Sequence, residues 1–479
     1  MASTLLELSK LISSSVATVD ARCRTLSLKY PDLANPANPQ GNEALAHDRE
    51  IAAATSVALA AAAQLMASMQ DPSRALIETS RGFALSSAMG AVNESATAEI
   101  IREAGPKGCH INDIAKKNGM DPLKIGRHQS TNSSRLLRLL ATQHIFREVS
   151  PDVFAHNRIS ILLDTGKSSQ EIFAKPEDKY HGAKGIGALV GLNTDETYKA
   201  AAYIQDVVVN PERAAAEGRG LLAMNRAYNT EGSFFSLYDR PENLARFKRF
   251  GMAMNADRML DPHSIVLKGF KWGALPAGAL VVDVGGGVGS TSLEIARANP
   301  HLRFVVQDLP SVTLEGKEYW AREYPDALTG GIVSLQAHSF LTPQPVKDAS
   351  VFLVRAVLHN WSDANASKIL KNLRDAAQPT TQLVVLERIA SLVCEEDASY
   401  AHITGAVLLA PPAPLLANLG VMFPYLMDIQ ARHHSTLLLW DGIERTFPHH
   451  WKLFKEAGWE IAHVYRNPGV MDQIIAKPV

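Results

Sequence analysis

The stretch VVDVGGGVGSTSLEIARANP, Val281 to Pro300, decides the fold. It reads as an apolar strand, a glycine-rich turn and a helix. Gly285, Gly286, Gly287 and Gly289 remove side chains where a ligand must lie against backbone, and they admit positive φ. Asp308 follows at the end of the next apolar run, in VVQDLP. An acid at that place can hold a ribose diol, so loop and acid together point to a nucleoside-containing cofactor.

Two cofactors suit such a loop. The dinucleotide pattern G-x-G-x-x-G/A meets Ser290 at its third position here. S-adenosylmethionine is the other, with a loop of the form DVGGGVG. It carries no pyrophosphate, so the helix N-terminus meets its methionyl part. No second nicotinamide signature is visible.

Outward from the loop, residues 270–479 alternate strand and helix patterns. Strands are predicted at 279–284, 303–307, 331–337, 351–355, 382–387, 460–466 and 471–478. Their near-continuous apolar character suits a parallel sheet covered on both faces. The predicted fold is α/β, a doubly wound, Rossmann-like, seven-stranded sheet. The apolar, Pro-rich segment LAPPAPLLANLGVMFPYLMD (Leu409–Asp428) is expected to be a wall or lid of the site.

The N-terminal half has another rhythm. Residues 1–75 are predicted to be a helical extension, 76–165 a winged-helix unit of three helices and a hairpin, and 166–269 a helical linker and acceptor-pocket region. The polar insertion HQSTNSS (His128–Ser134) is expected as a bulge or disordered loop in the third helix. The alanine-rich stretch Ile51–Met69 has about a membrane-spanning length without charge. Its alanines contribute little transfer energy, so a buried, closely packed helix is expected, not a membrane span.

Composition sets the frame. The chain has 479 residues, 46% hydrophobic and 20% charged, which suits two or three soluble domains. A formal net charge of -1 gives no electrostatic case for nucleic acid or an anionic membrane as partner. Cys23, Cys109 and Cys394 build neither a disulfide framework nor a zinc spacing. With no basic, apolar leader at residues 1–30, a reducing, cytoplasmic location is expected.

In open α/β sheets a ligand lies at the carboxyl ends of the strands. The predicted strand ends present the glycines, Asp308, His338, His359 and Glu387 to one crevice. A lone histidine beside apolar residues is usually a satisfied core residue; this convergence marks His359 as a catalytic candidate.

DVGGGVG, VVQDLP, LHNWSD, VVLERI and GIERTFPHHWKLFKEAGW occur here in the order they take in a known family. Over roughly residues 75–479 the chain resembles the class I S-adenosylmethionine-dependent O-methyltransferases of the caffeate/flavonoid type, especially their fungal relatives. The resemblance implies a homodimer built on the winged-helix domain. It implies a general base at His359, oriented by Glu387 and Glu444, and no metal. It places the cofactor at Gly285, Gly286, Gly287, Asp308, Leu309, His338, Ser339, Phe340 and Arg355. The acceptor, a small aromatic phenol, is expected among Phe234, Phe235, Met252, Met254, Asn255, Trp361, Phe423, Met427 and Gln430. A phenol titrates near about 10 and an imidazole near about 6.5, so histidine can take the proton as the oxygen attacks.

The chain departs from the family at three positions. Asn360 stands where an aspartate usually follows the histidine, His338 and Ser339 replace an acid at the third strand end, and Arg355 replaces a lysine. Two rivals remain: a nicotinamide-dependent oxidoreductase using the same glycine loop, and a weak or inactive cofactor-binding regulator that uses its winged helix for partners or DNA, for which Asn360, His338 and the HQSTNSS insertion speak.

Overall fold

Two compact units divide the chain, residues 1–260 and 261–479. The boundary falls inside the region 166–269 expected to act as linker. The computed structural model describes all residues except 1–3, 37–41, 121–134, 184, 210–221, 232–233, 261–264, 391–397, 406–437, 440–441 and 467–470. Both the HQSTNSS insertion and the segment 409–428 therefore lie outside the described residues.

The first unit opens with helix α1 (Thr4–Thr25) packed along α2 (Arg49–Met69). Asp48 caps α2 by accepting from the amides of Glu50 and Ile51, and Arg22 reaches the same carboxylate at 2.8 Å. The expectation that this alanine-rich stretch is buried is corrected: only Ile51, Ala60 and Ala61 of α2 are buried. Alanine on one face permits close contact with α1, but a two-helix pair covers only one stripe of each helix. Leu59, Met66 and Met69 remain exposed. By length and composition alone, α2 is the one helix among the described residues that could cross a membrane.

The region expected to form a winged helix holds helices and a small sheet. Helices α3 (Thr97–Ala104), α4 (Ile111–Asn118) and α5 (Arg135–Thr142) accompany a three-stranded sheet. Its strands β1 (Cys109–His110), β2 (Arg147–Ser150) and β3 (Val153–Ala155) lie in the order β1-β3-β2. Ile100, Ile114, Leu137, Leu140, Phe146 and Phe154 form the core of this region. Farther along, helix α6 (Leu244–Leu260) is tied to the turn 193–197 by Arg249, which donates to Asp195 at 2.6 Å and to Glu196 at 2.5 Å.

The second unit holds the seven-stranded sheet. Its strands are β4 (Leu280–Val284), β5 (Arg303–Asp308), β6 (Val333–Ala337), β7 (Val351–Arg355), β8 (Gln382–Glu387), β9 (Trp459–Tyr465) and β10 (Asp472–Pro478). They lie in the order β6-β5-β4-β7-β8-β10-β9. Strands β4 to β8 pair in parallel, whereas β10 runs antiparallel to both β8 and β9. This corrects the expectation of a parallel sheet at one edge. The link 466–471 is too short for a parallel crossover, which needs about a dozen residues or more.

Apolar side chains leave both faces of the central strands. Val282, Phe352, Val354 and Val385 face one layer, with Ile369, Leu370, Leu453 and Phe454 from two covering helices. Val281, Phe304, Leu353 and Val384 face the other, with Leu293, Ile295 and Trp320. Two covered faces explain why these strands read as unbroken apolar runs. Phe352 is fully buried at the centre. Phe352→Ala is expected to lower stability by about 3–5 kcal/mol, read as a reduced midpoint of denaturant unfolding.

Candidate active site

The strand order reverses between β4 and β7. The chain builds outward through β5 and β6, then returns to add β7 and β8 on the other side. A crevice opens at such a reversal, at the carboxyl ends of the two strands. The glycine loop leaves β4 there, and the His359 loop leaves β7.

The glycine loop enters helix α7 (Ser290–Ala298). A Cβ on Gly286 would lie 2.5 Å from the carboxyl carbon of Asp283, so no side chain fits at that position. At Gly287, with φ +59°, a Cβ would meet nothing within 4 Å, which leaves an uncovered face of backbone. Asp308 ties the loop to β5: its carboxylate accepts from the Gly287 amide at 2.8 Å and from the Leu309 amide at 2.8 Å. Leu309 itself is exposed.

Beneath the loop, Asp283 is buried. Burial pushes its carboxyl up to about 6, against the opposing hydrogen bond of Ser292 and the charge of Arg355. Ser292 donates to one Asp283 oxygen at 2.6 Å; the other has no hydrogen-bond partner among the described residues. An orphaned carboxylate oxygen under the loop suits a ligand that bears an ammonium group. It would repel a pyrophosphate, so the residues present fit S-adenosylmethionine better than a dinucleotide.

The remaining cofactor candidates follow neighbouring strand ends. His338 begins where β6 stops, and its amide donates to the Asp308 carbonyl at 2.9 Å. Burial lowers its imidazole from the ordinary range, and its Nε2 has no hydrogen-bond partner among the described residues. The Ser339 carbonyl accepts the amide of Thr342, closing a turn. The Phe340 ring packs against the backbone of Gly285 and meets Trp361 edge to face at 5.7 Å. Arg355 ends β7, half-buried.

After Arg355 the backbone turns sharply, with Ala356 at φ +54°, a left-handed conformation that costs a non-glycine residue about 1–3 kcal/mol. A short 3₁₀ turn, Leu358–Asn360, then presents His359. Its Nδ1 lies 2.6 Å from Oε1 of Glu444. Glu387, at the end of β8, accepts the backbone N–H of His359 at 3.0 Å. The two glutamates thus divide the work: Glu444 holds the ring and Glu387 holds the main chain. The segment bearing Glu444 is pinned alongside, the Ile443 amide donating to the His359 carbonyl at 2.8 Å.

Burial alone would depress the imidazole. The charge and hydrogen bond of Glu444, with Glu387 adding, outweigh burial and the opposing Arg388 and raise it to about 9. Burial in turn pushes Glu387 above the usual carboxylate range. With Nδ1–H committed to Glu444, Nε2 is the nitrogen left to accept a proton.

The acceptor candidates are distributed otherwise than the sequence suggests. Trp361 lies in the His359 loop. Met252 and Asn255 belong to α6 of the first unit, half-buried and exposed respectively. Phe234 is a core residue, fully buried against Tyr238 at 5.0 Å. The side chain of Phe235, and Phe423, Met427 and Gln430, lie outside the described residues. Asp283, Asp363 and Arg445 were not singled out from sequence, although Asp283 stands in the quoted DVGGG and Arg445 directly follows Glu444 in IERT.

Comparison with known proteins agrees with this geometry. The profile of the O-methyltransferase domain family matches residues 212–409. An O-methyltransferase of Armillaria gallica is 39% identical over 97% of this chain and 96% of its own length. The 4-O-methyltransferase 1 of Phanerochaete chrysosporium is 38% identical over 98% and 97%. Among solved structures, LepI in complex with S-adenosylmethionine superposes with a TM-score of 0.64 at 17% identity, covering 98% of this chain and 100% of that one, a likeness of fold. Relatives of this identity along nearly the whole length leave one assignment: the chain belongs to the S-adenosylmethionine-dependent O-methyltransferases of the plant caffeate type, in the company of their fungal members.

Proposed function

We propose that the enzyme methylates a phenolic hydroxyl of a small aromatic acceptor, with His359 as general base. The observation that carries this reading is the 2.6 Å contact between His359 Nδ1 and Glu444. It leaves Nε2 as the proton acceptor and raises the ring to about 9, close to the value of about 10 for a phenol. Proton transfer between such groups is nearly balanced, and below about pH 9 only the neutral fraction of the rings acts as base.

Bound S-adenosylmethionine would supply a methyl carbon already made electrophilic by its sulfonium. Asp308 offers its carboxylate to the ribose hydroxyls, and Asp283 its free oxygen to the methionyl ammonium. His359 removes the hydroxyl proton at Nε2 as the phenol oxygen gains its new bond. Glu444 stabilises the resulting imidazolium, and Glu387 keeps the loop backbone from shifting. The products are an aryl methyl ether and S-adenosylhomocysteine. This chemistry asks for no metal. A homodimer, a cytoplasmic setting and a role in fungal secondary metabolism or detoxification complete the reading; the fungal origin of the similar O-methyltransferases supports only its fungal side.

Transfer of labelled methyl to a panel of simple phenols, with a chelator present, tests the class of acceptor. Methylated product is the expected result; transfer only to amines or thiols would overturn the phenolic reading. His359→Gln should lower kcat by about 10²–10⁴-fold while S-adenosylhomocysteine affinity, measured calorimetrically, stays unchanged. Because the neutral ring is the base, kcat/KM should rise with pH and level off above about 9. In Glu444→Gln that limb should move down toward the ordinary histidine range, and the plateau should fall.

A further inference from the structure

We infer that Arg445 is the positioning residue of the active site, a single buried guanidinium that holds the His359 loop and the Glu444 segment in register. It rests on the function proposed above only in that His359 and Glu444 act as a pair.

The side chain of Arg445 is almost completely buried. Its Nη1 donates to the carbonyls of Leu358 at 2.9 Å and Ile443 at 3.3 Å. Its Nη2 donates to the Trp361 carbonyl at 2.8 Å, and its Nε to Asp363 at 3.0 Å. Leu358 and Trp361 bracket the pair His359–Asn360, and Ile443 immediately precedes Glu444. One planar group therefore grips both sides of the catalytic contact without touching the imidazole.

The geometry requires arginine. These acceptors are met by a rigid fork of five N–H donors; a lysine has three donors on a point charge and cannot reach them together. The carbonyls lie in an irregular turn, so losing the guanidinium leaves buried acceptors short of donors. Asp363 opens helix α8 (Asp363–Arg374) and anchors the outer side of the fork, where His449 Nε2 also reaches it at 2.8 Å. The Arg445 carbonyl accepts the Ala390 amide at 2.9 Å, which fixes the backbone that carries the fork. A catalytic contact moved by about 1 Å can lose about 10²-fold in rate. The charged and titratable groups facing His359 are Glu444, Glu387 and Arg388; those facing Arg445 are Asp363, Glu387, His449 and His450.

The test is the titration of His359 in the full-length protein, followed by NMR with carbon-labelled histidine and assigned with His359→Gln. It needs no acceptor, so it stands whether or not the phenolic reading holds. Arg445→Lys should move the His359 midpoint down by about one pH unit or more as Glu444 loses its fixed place. Where an acceptor is in hand, kcat should fall by about 10- to 100-fold with S-adenosylhomocysteine affinity unchanged. Asp363→Ala, at a half-exposed position, should shift the midpoint in the same direction by less. If Arg445→Lys does not fold, Asp363→Ala decides. An unmoved midpoint in the folded variant, or a loss of cofactor affinity equal to the loss of kcat, overturns the proposal.

Discussion

The reversal of strand order between β4 and β7 is the constraint on which the rest of the second unit depends. Adjacent parallel strands whose following loops diverge must leave a gap at their carboxyl ends. Into that gap the chain puts its two least side-chain-tolerant and most reactive pieces, the glycine turn and the His359 turn.

Electrostatics then separates roles among groups of similar chemistry. Four carboxylates stand near the crevice, and each has different partners. Asp308 accepts the amides of Gly287 and Leu309 at the rim, one on each oxygen. Asp283 lies beneath the loop with one oxygen uncommitted among the described residues. Glu387 accepts only a main-chain N–H from His359 among its described hydrogen bonds and serves position. Among the described residues Glu444 is the one that bonds the imidazole Nδ1, and it raises the ring's proton affinity together with the charge of Glu387. Burial is the largest single influence on the ring and lowers it; the charge and hydrogen bond of Glu444, with the charge of Glu387, together offset that penalty.

Much of the framework was legible because it rests on short-range rules. Apolar runs bounded by turns located all seven strands of the large sheet to within about two residues, and three helices with a hairpin located the winged-helix region. Helix Arg49–Met69 shows where such rules stop. Its composition identifies a helix, but burial depends on how many neighbours surround it, and α1 covers one stripe only. Phe234 fails in the opposite sense: its aromatic character suggested an acceptor wall, and the fold spends it on a core.

The sequence by itself determined the class of the cofactor loop, the acid at the end of the second strand, the α/β alternation and the histidine at a strand end. Each is a local statement, since a turn, a strand or a cap is specified by residues a few positions apart. Only the tertiary structure decided which glutamate meets the ring, that the other holds the backbone, that the ring is raised to about 9, and that Arg445 spans both segments. Those depend on groups brought together across 85 residues of chain for His359 and Glu444. Sheet order, including an antiparallel β10 wedged between β8 and β9, fixes that approach, and no spacing along the chain encodes it.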